Sequence, residues 1–382
     1  MGNTLKVIYN ITVFLLLLSI SVDASLIKPK LIWEKTFSSQ IMKVCERKDI
    51  DMLKGQKAKF PLSAVITKKD VLLFNLRGKE INKISLQGYD KSSISNDGTI
   101  IAAMKGRELT VLSSHNEIIN KIKIAEPQPV VLPQYITFEV SPNGQYIVII
   151  SWFSKQIYFY AVNGKLLARH QFKDLRKSRV LFSKDSSTVL IHVPNFGDGS
   201  SHGFLTCFNK TGKLLWRFDH DGCEAEFDVS ENTFALLTSK HLYALDRRGK
   251  ILFKKDLPNH KLLSISNRST HIASTSKNSI YFWSYKKNNL MWQYSDSNFD
   301  QVNSLSSVLT ISDNSQFIVY SSFQNWRDKP IVSNLSILDN KGNKVYQNGF
   351  DNFRIENCLF YNSENYFCLY SNISIYLYDI SL

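Results

Sequence analysis

The chain is poor in cysteine and proline, short of acid relative to base, and has one long apolar run. Five cysteines in 382 residues include no Cys-x-x-Cys pair, which leaves a thiolate metal site without support. Nine prolines and sixteen glycines are too few for a disordered or fibrous chain, so most of it should pack. No Gly-x-Ser-x-Gly, His-Glu-x-x-His, P-loop or dinucleotide fingerprint occurs, so the familiar catalytic constellations have no footing. Long helical periodicity is missing beyond the first residues. The acid deficit, 33 against 47 basic residues, gives a net charge of +14. Such a balance suits an acidic polymer or an anionic surface as partner, or simply a solvated basic exterior; nothing in it specifies nucleic acid.

The one apolar run lies at the start. Lys6 precedes Val13–Ile20, and Val22-Asp23-Ala24 offers a small-x-small cleavage site. Residues 1–24 read as a secretory signal peptide and residues 25–382 as one domain. The protein is then exported, periplasmic or secreted; an uncleaved N-terminal membrane anchor is the alternative. Removing Lys6 and Asp23 together leaves the net charge at +14. An odd cysteine count in an exported chain leaves at least one thiol free or paired with another chain.

What is abundant is β-forming and repetitive. There are 17 Tyr and 24 Phe. "ISNDGTIIAAMKGRELTVL" from Ile94 returns as "VSPNGQYIVIISWFSKQIYFY" from Val140 and "FSKDSSTVLIHV" from Phe182. Further copies start at Val229, Ile265, Ile311 and Tyr361, and a half copy, "SAVITKKDVLLFNLRGK", starts at Ser63 without a clear first strand. A period of about 36–50 residues is that of propeller blades. Each unit reads as four strands: A ends at a Ser-polar-Asn/Asp turn, B is apolar throughout, C alternates, and D follows a Gly-containing turn. The expected fold is all-β: a single closed β-propeller of four-stranded blades, eight of them, with seven the alternative.

The segments "LYALDRRGKILF" (242–253) and "TCFNKTGKLLWRF" (206–218), with "YFWSYKKNNLMWQY" (281–294), resemble the repeats of quinoprotein-like and WD-repeat β-propellers. The resemblance spans nearly the whole mature chain and implies the fold. It implies little about function, because such repeats serve enzymes and scaffolds alike. No Trp-Asp dipeptide is present, unlike true WD repeats, and no two cysteines are adjacent, unlike the quinone-dependent dehydrogenases the first resemblance suggests.

The last unit stops after strand C, while "KLIWEKTF" (30–37) matches "KLLWRFDH". The N-terminal segment is therefore expected to close the ring as the outer strand of the last blade, Trp33 standing where Trp216 and Trp292 stand elsewhere. Cys358 and Cys368 would face each other across the final hairpin if its turn were symmetric about Ser363, making a disulfide geometrically open to them; two buried free thiols are the other reading.

A propeller places its A–B and C–D turns on one face and its B–C and D–A loops on the other. The insertions 125–135, 194–203, 219–226 and 322–330 fall in the second class, so a partner is expected there. Candidate partner-binding residues are Trp326, Arg327 and Asp328 at one tip, His202 beside a Gly-rich loop, and the B–C-turn lysines Lys68, Lys105, Lys155, Lys240 and Lys277. Arg247, Arg248 and Lys250 mark the opposite face. The acidic segment "DHDGCEAE" offers oxygens of the kind that hold Ca²⁺, though not at EF-hand spacing; a plain acidic turn accounts for it, and no cofactor is expected. The function expected is a non-catalytic interaction scaffold with a protein partner. The alternatives are a quinone-dependent dehydrogenase-like enzyme and a polyanion- or carbohydrate-binding propeller.

Overall fold

A computed structural model describes residues 29–46, 63–75, 77–124, 133–194, 202–222, 225–268, 270–276, 279–295, 304–324, 332–351, 354–361 and 366–380. The proposed leader, residues 1–24, lies outside them. The strands form eight four-stranded antiparallel sheets. Seven are continuous in sequence: blade 1 spans 41–85, blade 2 91–123, blade 3 136–171, blade 4 179–221, blade 5 226–256, blade 6 260–295 and blade 7 304–351. Blade 8 takes strands A to C from Asn357–Tyr361, Tyr366–Tyr370 and Ser374–Asp379. Its strand D is Lys30–Thr36, paired antiparallel with Ser374–Asp379.

The burial pattern follows from where each strand lies. Strand B is covered on both faces, so Thr188–Pro194 is buried along its whole length. Strand D is the outer edge, and Leu214–Asp221 is exposed or half-buried at every position except the buried His220. Buried apolar side chains gather into eight clusters, each between neighbouring blades. The cluster that closes the ring joins Phe37, Ile41, Val65 and Phe74 to Cys368, Ile375 and Leu377. The structure is an eight-bladed ring closed by its N-terminal strand, and the seven-blade alternative falls.

The serine that ends strand A in the repeat has a structural cause. In blade 2 the Ser95 hydroxyl accepts from Ile100 N at 3.0 Å, which fastens the A–B turn. Ser141, Ser183 and Ser312 accept in the same way from Tyr146, Thr188 and Phe317. All four serines are buried, so each hydroxyl must keep a partner. Two residues earlier in a blade, a side-chain oxygen latches the next blade: Ser93 accepts from Val140 N, Asp228 from Ile265 N and Ser264 from Ile311 N.

A second latch runs round the outside. Trp216 of blade 4 lies over Gly249 in the C–D turn of blade 5 and donates its indole N–H to the Arg247 carbonyl at 2.8 Å. Gly249 has φ +79°, and a Cβ there would stand 2.8 Å from the indole, so both the turn and the ring require glycine. Trp292 repeats this over Gly342, and Trp33 carries it across the closure onto Gly78. The expected equivalence of the three tryptophans holds.

Two expectations need correction. The half copy at Ser63 does have a first strand, Ile41–Glu46, hidden because residues 47–62 separate it from strand B. No other two consecutive strands of the ring are so far apart in sequence. The last hairpin is also one residue out of the assumed symmetry. Cys358 pairs with Leu369 and Leu359 with Cys368, which sends the two thiols to opposite faces of the sheet. They belong to different core clusters, so the disulfide between them is excluded.

Candidate functional site

Antiparallel order through every blade puts all B–C and D–A connections on one face. Four of the proposed lysines occupy B–C turns there: Lys68 in blade 1, Lys105 in blade 2, Lys155 in blade 3 and Lys240 in blade 5, each exposed. Lys277, Trp326, Arg327 and Asp328 lie outside the described residues. Strand B of blade 7 ends at Gln324 and its strand C begins at Val332 on this face.

His202 is exposed at the start of strand C of blade 4, opposite Asp221 in register. Its neighbours His192 and His220 are buried and stacked, ring centroids 5.2 Å apart. Burial first, then the neighbouring His220 and Arg179, pushes His192 down to about 3; burial lowers His220 as well. Both are core imidazoles held neutral. The acidic segment is dispersed into pairs. Asp219 pairs with Arg217, Asp221 with His241 and Glu226 with Arg179. Glu224 lies outside the described residues, and among those described no group of three or more His, Cys, Asp or Glu is arranged to hold a metal.

The strongest concentration of recognition chemistry on this face is one that the sequence reading missed. Strand B of blade 3 ends at Ser151, and its B–C turn reads Trp-Phe-Ser-Lys, residues 152–155. A turn is expected to be polar, and two consecutive aromatics in one were the available signal. The turn is clamped from both sides. Trp152 N donates to the Tyr135 carbonyl at 3.0 Å, and Phe172 N donates to the Lys155 carbonyl at 2.8 Å. Tyr135 stands edge-on to both aromatics, at 5.9 Å from Trp152 and 4.6 Å from Phe153. Phe153 nonetheless keeps 41% of its surface exposed. Lys155, in the left-handed region at φ 54°, ends this turn and is exposed. Phe172 stacks on Phe204 at 6.1 Å, and the Arg217 guanidinium covers Phe204 at 3.8 Å.

Aromatic rings fixed by backbone hydrogen bonds and flanked by cations can bind with little loss of side-chain freedom.

No protein-family model matches the chain. No curated protein sequence matches it. Among solved structures, the WD40 domain of SCAP from fission yeast superposes with a TM-score of 0.60 at 11% identity, covering 92% of this chain and 98% of that one. This is a β-propeller. At such identity the likeness extends to the fold and no further, so neither a WD-repeat nor a quinoprotein family follows from it. Weaker likenesses join the propeller to a eukaryotic initiation factor, at a TM-score of 0.49 and 10% identity over 83% of this chain and 90% of that one.

Proposed function

We propose that this propeller is a non-catalytic interaction module that binds a protein partner through its B–C and D–A face. The observation that carries the reading is Phe153, a large ring held at an exposed turn tip by Tyr135 and Trp152. Trp, Tyr and Arg dominate binding energy at protein interfaces because a rigid aromatic or planar cation buries much area at small entropic cost. Lys155 beside it favours a partner with acidic groups near its apolar contact. Trp326, Arg327 and Asp328, outside the described residues, remain candidate contacts under the same reading. We further read residues 1–24 as a leader that sends the domain out of the cytoplasm, with retention as an anchor the alternative.

The test is site-specific photo-crosslinking in the native host, with a photoreactive residue at Phe153 in one protein and at Arg248, on the opposite face, in another. A defined adduct from position 153, weakened about tenfold or more by Lys155→Glu, supports the reading. An adduct only from position 248 places the partner on the other face and overturns it.

A further inference from the structure

A second feature of the same face lies away from the aromatic corner, where blades 1, 2 and 3 meet. Residues of their strands and turns line a half-open recess of about 260 Å³. Its wall is locked. The Glu139 carboxylate of blade 3 accepts from Lys43 Nζ of blade 1 at 2.8 Å and from the Ser93 hydroxyl of blade 2 at 2.7 Å. Tyr89, Phe138 and Leu86 supply the apolar part of the lining.

The cations of this cavity are not balanced. Lys43, Lys68 and Lys91 line it against Asp90 and Glu139. Glu139 is engaged by Lys43, and Asp90 is turned to the B–C turn, where it accepts from Gly106 N at 2.8 Å. Lys91 is left with one partner, the Ile136 carbonyl at 2.8 Å, and no carboxylate among the described residues pairs with it. It is half-buried, and desolvation lowers its pKa from the ordinary lysine value. A half-buried ammonium facing a backbone dipole alone is under-compensated, and an oxyanion is what would complete it.

The neighbouring turn repeats the pattern. Arg107 follows Gly106, and its Nε and one Nη are buried without a hydrogen-bond partner among the described residues. Two cations short of anions thus belong to blade 2 at the same end, tied together by the Gly106–Asp90 hydrogen bond. The volume falls just under the ~300–1,000 Å³ of sites for drug-sized ligands, so one side chain or a small molecule fits better than a large cofactor.

We propose that this cavity binds a carboxylate or phosphate group, with Lys91 as its principal cation and Lys68 at its rim. The group belongs either to an acidic side chain of a docked polypeptide or to a free small anion. The site stands on its own geometry and does not depend on the aromatic corner.

Calorimetric titration of the chain from residue 25, which contains every strand of the ring, separates these sources. The probes are inorganic phosphate, citrate, a hexaglutamate peptide and, as control, a Gly-Ser peptide. Saturation by phosphate or citrate points to a free anion; saturation by hexaglutamate alone points to a side chain. Either way Lys91→Met should weaken binding about tenfold or more, since a charge-assisted bond is lost. Lys121→Met, on the outer strand of the same blade, should leave it unchanged. Should Lys91→Met fail to fold, lysine side-chain NMR of the unsubstituted protein serves instead, and the Lys91 signal must move on adding the binding anion. The proposal is overturned if no anionic probe binds up to about 10 mM, or if affinity survives Lys91→Met, or if the Lys91 signal stays fixed.

Discussion

At the scale of single residues, the stacked pair His192 and His220 links burial to acid stability. Each has a buried Nε2 without a hydrogen-bond partner among the described residues, so neither ring has a described group ready to stabilise its charged form there. Folded His192 takes a proton only near pH 3, whereas an unfolded histidine does so near pH 6.5. The neutral ring's contribution is therefore complete above pH 6.5 and is lost as the pH falls from there toward 3. The charged groups facing the pair moderate this in both directions, Arg179 lowering His192 while Asp219 and Asp221 raise His220. Between about pH 6.5 and pH 4 the loss attributable to His192 should be on the order of 3 kcal/mol. His192→Leu should flatten that acid limb in denaturant titrations at several pH values. An unchanged slope would show that His192 does not set it. The sequence left His192 open between a solvated and a core histidine, although its strand, "STVLIHV", is apolar. The stacking on His220 was not legible, because it arises from the pairing of strands B and D through strand C.

At the scale of elements, the ring closure was legible because Lys30–Phe37 repeats the strand D pattern of other blades, tryptophan included. The hidden first strand of blade 1 was not, since residues 47–62 break the spacing by which the other copies were aligned. Register was equally out of reach at Cys358 and Cys368, where a shift of one residue exchanges faces. The closure makes a quantitative prediction. Trp33 covers Gly78, approaches Phe74 at 6.0 Å and is only half-buried, so Trp33→Ala should cost roughly 1–3 kcal/mol, below the 3–5 typical of a fully buried aromatic. Deleting residues 30–36 should cost considerably more, because it exposes Ser374–Asp379 as an unpaired apolar edge and opens the core shared by blades 8 and 1. Thermal melts of both variants beside the chain from residue 25 decide this. A deletion variant as stable as its parent would mean that the strand does not close the ring.

At the scale of the whole molecule, two electrostatic effects oppose each other, and their magnitudes choose between them. The ion pairs are mostly solvent-exposed; Lys121–Glu108 and Arg179–Glu226, for example, each leave roughly half of both side chains accessible. Such pairs contribute about 0–1 kcal/mol apiece, and salt erodes them. Against them stands a net charge of +14 on one compact ring, a self-repulsion that salt relieves. The more sheltered pairs, Lys184–Asp313 and His241–Asp221, are the least sensitive to screening and so do not reverse the balance. Repulsion should dominate, and the melting temperature should rise when sodium chloride is raised from about 10 mM to 150 mM, where the screening length shortens from ~30 Å to ~8 Å. Sulfate would confuse the result, because it stabilises folded proteins through exclusion as well as screening, and it is also an oxyanion of the kind proposed to bind at Lys91. Chloride titration at constant pH avoids the first problem. Repeating it with Lys91→Met addresses the second: long-range repulsion is nearly the same with one charge fewer, so its salt response should persist, whereas a rise that vanished in the variant would trace the effect to one site. A melting temperature that falls with chloride would mean that the exposed ion pairs, taken as a network round the ring, outweigh the net charge.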